Sequence, residues 1–231
     1  MVTFRDLKWS EIVLKIKISK ATIIRLSLYL RYLTEVDHKG ITLISSYDIA
    51  KGIGVNPASV RKDLAYFGDF GTRGLGYNVK DLRNQIIKIL GLSNEWNAAL
   101  VGLGNLGLAL STYKGFRERG FIIDSIFDTD SSKIGSIVNG TQVLPVEQME
   151  EVLSKRPTEI GIICVPISVA QVTADALVRA GVKAILNFAP VALNVPPEVS
   201  LRNVDLAVNL EIITFNLGIK ELTDILIARS F

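Results

Sequence analysis

The 231-residue chain has a single cysteine and a single histidine. With Cys164 alone there is no internal disulfide framework, and the composition suits a reducing cytoplasm. Cys164 lies in IGIICVP, a continuous apolar run that reads as a buried strand, so it is expected to be a packing residue. With His38 alone there is no histidine-based metal cluster and no obvious Ser-His or Cys-His pair. No stretch approaches the ~20 apolar residues that a membrane span needs. The opening MVTFRDLKWSEIVLKIKISK is charged every few residues and lacks the apolar core of a signal peptide. These absences lead us to expect a soluble, cytoplasmic protein with no metal and no membrane partner.

What is present divides by charge. Residues 1–91 carry 15 Lys+Arg against 8 Asp+Glu, a balance of +7, and residues 92–231 carry 11 against 15, a balance of −4. A basic half joined to an acidic half suggests that only the first meets a polyanion; chance asymmetry of solvated faces is the alternative.

In the second half, NAALVG is followed by a glycine turn and a stretch of helical character, NLGLALSTYKGFRERG. Gly102, Gly104 and Gly107 have the G-x-G-x-x-G spacing of a dinucleotide-binding turn. The first permits a tight turn, the second lets backbone approach a pyrophosphate, and the third lets helix and strand pack closely. The amides opening the helix, at Asn105, Leu106 and Gly107, would face the phosphates. The next strand, FIIDSIF, reaches Asp128, 26 residues beyond Gly102. An acid there can accept hydrogen bonds from both adenosine ribose hydroxyls and would repel a 2′-phosphate, favouring NADH and NAD+. Helix capping before SSKIG is the other reading of Asp128, although Asp130 or Ser131 is better placed for that. TQVLP, EIGIICVP, VKAILNFAP and NVDLAVNL then alternate as strands with VEQMEEVLSK and ISVAQVTADALVRAG as helices, which predicts a parallel, doubly wound α/β sheet. Val165, Pro166, Asn187, Phe188 and Pro190 fall at carboxyl ends of strands and could line the nicotinamide side; the prolines could equally be strand stops. Within this half, no histidine, no Tyr-x-x-x-Lys pair and no separate substrate domain offers dehydrogenase chemistry.

In the first half, SKATIIRLSLYLRYL predicts a helix capped by Ser19 with Ile23, Leu26, Leu30 and Leu33 on one face. In SSYDIAKGIGVNPASVRKDLAYFG a short helix from about Tyr47 ends at Gly52–Gly54. Asn56 then caps a second helix that has Pro57 at its first position. Val60, Leu64 and Phe67 share one face of this helix, Ser59, Lys62 and Tyr66 project from the other, and Arg61 lies on a flank. That is a helix-turn-helix reader with a basic outer face. FGDFGTRGLGYNV suggests a wing hairpin with Arg73 and Gly74 at its tip, placing Arg73 for a minor groove while Arg61 and Lys62 face the major groove. Asn78 caps a further helix that Gly91 ends. The alternative is a protein-binding helical domain with solvated charges.

Together the halves resemble the Rex family of redox-sensing transcriptional repressors. The resemblance runs from about Ser19 to Leu210 and is carried by KATIIRLSLYLRYL, VNPASVRKDLAYFGDFGTRGLGYNV, VGLGNLGLAL, FDTDSSKIG, LNFAPVALNVP and NVDLAVNL. It implies a winged-helix domain over residues 1–92 (1–18 unassigned), a Rossmann-like domain over 93–210 and an exchanged dimerisation helix over 211–231. It further implies a homodimer that binds palindromic double-stranded operator DNA and lets go when NADH binds, with no catalytic activity. Arg25, Tyr113 and Asp205 match the family's switch residues. Ile24, Ser27, Thr72 and Asn209 depart from its pattern. The rival reading is an NAD-dependent oxidoreductase with an N-terminal helical extension.

Overall fold

Ser19, Ser45, Asn56 and Asn78 each open a helix in the computed structural model, which describes residues 18–72 and 74–228. Each side-chain oxygen accepts one of the backbone N–H groups that a helix start leaves without a partner. Ser19 Oγ accepts from Thr22 N at 3.1 Å and begins α1, Lys20–His38. Ser45 Oγ accepts from Asp48 N at 3.1 Å while Asp48 accepts from Ser45 N at 3.3 Å, a reciprocal box that begins α2, Ser46–Ile53. Asn56 accepts from Ala58 N at 2.7 Å to start α3, Pro57–Ala65, and Asn78 from Asp81 N at 3.1 Å to start α4, Val79–Ile89. Strands β1 (Leu43–Ile44), β2 (Gly71–Thr72) and β3 (Gly76–Asn78) form a small antiparallel sheet in the order β1-β3-β2. The β2–β3 hairpin is the wing, turning through Gly74 at φ +82°.

The buried stripe of α1 differs from the one its leucines suggest. Thr22, Leu26, Tyr29, Leu33 and Val36 face the core, Leu30 packs against it only in part, and Ile23 is 46% exposed. Two hydroxyl-bearing residues take core positions because a buried partner satisfies both, the carboxylate of Asp63. Val60, Leu64 and Phe67 of the second helix and its C-terminal turn do point inward, packed among Ile49, Leu82 and Ile86. Each such side chain contributes about 1.5–3 kcal/mol on burial.

The chain divides into two compact units, the second running from Glu95 onward. Its strands are β4 (Trp96–Val101), β5 (Phe121–Asp128), β6 (Ile137–Val138), β7 (Thr141–Pro145), β8 (Ile160–Ile163), β9 (Ala184–Asn187) and β10 (Ser200–Asn203). They lie in the order β10-β9-β8-β4-β5-β7-β6, parallel apart from β6. The chain lays β5 and β7 on one side of β4, then crosses back to lay β8 on the other. Ligand crevices of open α/β sheets form at the carboxyl ends of strands beside such a reversal. Ala99 and Val101 of β4 face α7 (Met149–Lys155) and α8 (Ile167–Arg179), while Ala98 and Leu100 join the opposite face with Leu103. Burial on both faces is why the strand reads as a solid apolar run.

Two predicted elements divide differently. NVDLAVNL is not a final strand: β10 ends at Asn203 and α9, Leu206–Ala228, begins five residues ahead of the expected 211. The Asp205 carboxylate decides this by accepting from Ala207 N at 2.9 Å and Val208 N at 3.4 Å. The helix after the glycine turn is also shorter than its pattern. α5 covers Asn105–Ser111 and stops where the Ser111 and Thr112 hydroxyls turn back onto the Leu108 carbonyl, at 2.8 and 3.0 Å. A separate turn, α6, covers Lys114–Arg117. No described helix is long and apolar enough to cross a membrane.

Candidate functional site

The carboxyl ends of β4, β5 and β8 open into a cavity of about 770 Å³. It is lined by Gly102, Gly104, Asp128, Lys133, Cys164, Val165 and Pro166, with Val169 and Val172 of α8 as an apolar wall. A volume in this range suits a drug-sized or larger ligand.

The three glycines have separate causes. At Gly102, φ is +94° and a Cβ would stand 2.6 Å from the Cys164 carbonyl oxygen, so the turn itself demands glycine. A Cβ on Gly107 would collide with the Gly102 carbonyl oxygen, so the helix could not sit against the strand. Gly104 differs: its backbone is extended, with φ −72° and ψ −171°, and a Cβ would meet nothing within 4 Å. Neither fold nor packing requires glycine there, and the space that a methyl would fill opens onto the cavity. Asn105, Leu106 and Gly107 form the first turn of α5, which follows directly on Gly104; Gly104 lines the cavity, and these three residues are not part of its lining.

Asp128 closes β5 and is 8% exposed. Its Oδ2 accepts from Leu103 N at 2.6 Å, tying the strand tip to the glycine turn, and its Oδ1 accepts from Asp130 N at 2.8 Å. Each carboxylate oxygen retains a lone pair that can receive a ribose hydroxyl. Lys133 stands 3.6 Å from Asp128 and 3.2 Å from Asp130. Sequence reasoning missed this lysine, although a cation five residues past the acid was the available signal. Burial pushes the Cys164 thiol up to about 12, which makes it an inert part of the wall.

The other expected ligand contacts fare unequally. Val165 and Pro166 line the cavity. Asn187 is not part of the cavity's lining: it is fully buried, donating to the Ala189 and Val191 carbonyls and to Asn203, and accepting from Ala189 N. Its amide fixes the loop after β9, with both N–H donors committed to three oxygens. Phe188 packs in part against one face of the sheet and Pro190 is exposed; neither lines this cavity. Tyr113 starts α6, is 55% exposed and meets Phe116 edge-on at 5.2 Å.

In the first unit α3 presents Arg61 and Lys62 to solvent. Arg61 Nη1 donates to Ser46 Oγ at 3.0 Å, which braces it at the start of α2. Arg61 and Gly74 also border a groove of about 500 Å³ between α3 and the wing. Ser59 is half-buried, and Tyr66 packs in part against the core instead of projecting freely. Arg73 lies outside the described residues.

Asp63, on the same helix, went unnoticed in the sequence. It is 2% exposed and receives four hydrogen bonds. They come from Arg25 Nε at 2.6 Å, Arg25 Nη2 at 2.8 Å, Tyr29 Oη at 2.8 Å and Thr22 Oγ1 at 3.2 Å. Burial pushes its carboxyl up, but the bonds from Arg25 and then Tyr29 outweigh it and hold the group below the ordinary carboxylate range. Arg25 of α1 is thereby clamped to the helix that carries Arg61 and Lys62.

Comparison with known proteins agrees with this arrangement. A family model described as "Putative DNA-binding protein N-terminus" matches residues 17–65, and one described as "CoA binding domain" matches residues 93–191. The redox-sensing transcriptional repressor Rex of Desulfitobacterium hafniense is 70% identical over 203 residues, covering 88% of this chain and 97% of that protein. The Streptomyces coelicolor protein of the same name is 44% identical over 199 residues, covering 86% and 77%. Among solved structures, RSP in complex with β-NAD+ and operator DNA aligns with a TM-score of 0.86 at 42% identity, covering 92% of this chain and 98% of its own. RSP in complex with β-NADH aligns with a TM-score of 0.83 at 40% identity, covering 92% and 100%.

Proposed function

The chain belongs to the Rex family of redox-sensing transcriptional repressors, and we propose that its first unit grips operator DNA through α3 while its second seats NADH or NAD+ beside Gly104. It is a regulator and not an enzyme, binding DNA as a repressor and responding to NADH and NAD+. Its place of action is the cytoplasm.

The observation that carries the assignment of residues is the open space at Gly104. A glycine that neither the turn nor the packing needs, at the mouth of a cavity, is accounted for by backbone that must approach a pyrophosphate. Gly102, Gly104 and the amides of Asn105, Leu106 and Gly107 would hold the phosphates, Asp128 the adenosine ribose, and Val165 and Pro166 the nicotinamide side. The reduced and oxidised cofactor differ at the nicotinamide by one positive charge and by ring planarity, and that difference is what the site senses.

On the DNA side, Arg61 and Lys62 face the major groove, with Ser59 and Tyr66 as further DNA contacts. Arg73 and Gly74 form the wing contact. Two copies read a palindrome, joined through α9. Arg25, Tyr113 and Asp205 carry the signal. Because Arg25 is held by Asp63 of α3 itself, any pull on Arg25 reaches the reading helix directly. A ligand shifts such an equilibrium only through unequal affinity for the two states, and a coupling of about 1–3 kcal/mol changes operator affinity roughly 5- to 150-fold.

A pair of variants tests the division of labour. Arg61→Ala is expected to weaken operator binding by at least about 1 kcal/mol with NADH affinity intact. Asp128→Ala is expected to impair NADH binding while the protein without cofactor still holds operator. Loss of both activities in both variants would refute it.

A further inference from the structure

Lys133 is the one cation among the described residues that line the nucleotide cavity. It sits between two carboxylates on a turn that fixes all three groups. Asp128 Oδ1 accepts from Asp130 N at 2.8 Å. Asp130 Oδ1 accepts from Ser132 N at 3.0 Å and from Ser132 Oγ at 2.6 Å, and the Asp130 carbonyl accepts from Lys133 N at 3.0 Å and Ile134 N at 3.1 Å. The ammonium lies closer to Asp130, at 3.2 Å, than to Asp128, at 3.6 Å. Hydrogen bonding to Asp130 is the larger influence holding the Lys133 ammonium in its charged form.

Asp128 alone does not settle which cofactor enters. A 2′-phosphate hangs on the ribose that Asp128 is placed to receive, and it brings a charge of about −2 at neutral pH. Asp128 repels it, but an ammonium 3.6 Å away would attract it. The sign of the local field therefore depends on the third group. With Asp130 ionised, the trio carries a net charge of −1 and the ammonium is occupied.

Resting on the reading of this cavity as the NADH site, we propose that Asp130 is a specificity-determining residue that excludes NADPH by holding Lys133 away from a 2′-phosphate. Asp130 need not touch the nucleotide. It acts by occupying the one cation that would otherwise welcome the extra charge, and so acts as a positioning residue for Lys133.

Asp130→Asn isolates this effect, because the amide oxygen can still accept from Ser132 while the charge is gone. Binding of NADH and of NADPH to the full-length protein is measured by titration calorimetry for wild type, Asp130→Asn and Asp130→Asn/Lys133→Ala. Asp130→Asn is expected to leave NADH affinity unchanged and to tighten NADPH by up to about fivefold, the upper range for one exposed charge pair. The gain should shrink as salt is raised and vanish in the double variant. An unchanged NADPH-to-NADH ratio, a gain that persists without Lys133, or loss of NADH binding in Asp130→Asn each overturns the proposal. Failure of the wild-type protein to bind NADH overturns instead the underlying assignment of the cavity.

Discussion

Three glycines at 102, 104 and 107 share a motif but answer to different forces, and substitution separates them. Gly107→Ala drives a methyl into the Gly102 carbonyl and is expected to cost about 1–3 kcal/mol in thermal or denaturant unfolding. Gly104→Ala should leave stability within about 0.5 kcal/mol, as its backbone suits any residue and its Cβ meets nothing. It should nevertheless weaken NADH at least about tenfold, since the methyl occupies the approach to the phosphates. Unchanged NADH affinity in Gly104→Ala would remove the pyrophosphate from this position. Asp63 is a second case where one residue decides. Its carboxyl is held below the usual range in the folded protein, so its stabilisation is complete above the ordinary carboxylate value of about 4 and is lost as pH falls through the depressed value. Asp63→Ala should cost about 3 kcal/mol near neutrality, the low end for a buried pair because Arg25 is 28% exposed. Denaturant titrations should show that difference shrinking as pH falls below about 4; a constant gap would mean that the ion pair is not its source.

Among the elements, those with strong local signals were legible and those settled by competition were not. Ser19, Asn56 and Asn78 gave away three helix starts because a capping side chain needs only its own neighbours. Apolar runs such as NAALVG and EIGII revealed parallel strands because both faces are covered. The start of α9 escaped because AVNL is apolar enough for a strand, and only the Asp205 cap shows that the helix has already begun. Asn187 reads as a ligand contact from its position at a strand end, while its four hydrogen bonds, which keep it out of the cavity's lining, involve residues up to 16 positions away. Asp63 was passed over because an acid amid Lys and Arg looks like surface until Thr22, Arg25 and Tyr29 are brought against it. α9 also carries the clearest prediction at this scale. Leu206, Leu210, Ile213 and Leu217 form one exposed stripe, and Val208, Ile212, Phe215 and Ile219 another on nearly the opposite side. A helix apolar on two faces is built to be covered on both. Leu210→Asp with Leu217→Asp is expected to convert a dimer to monomers in sedimentation velocity and to lose tight operator binding with it. A dimer of wild-type strength would assign dimerisation elsewhere.

For the molecule as a whole, the charge division between the halves anticipates the division of tasks. The half with a balance of +7 carries α3, proposed to read the operator, and the half with −4 carries the cavity proposed for the cofactor. Phosphate contacts supply much of the affinity of any DNA reader and fall with salt, so affinity alone says little about sensing. The account rests on linkage: cofactor and operator must change each other's affinity by the same factor. Fluorescence anisotropy of a labelled palindromic operator, titrated with NADH and separately with NAD+ at fixed salt, measures that factor directly. The account predicts at least about a fivefold loss of operator affinity with NADH and a much smaller change with equal NAD+. Operator held equally tightly with saturating NADH would contradict it.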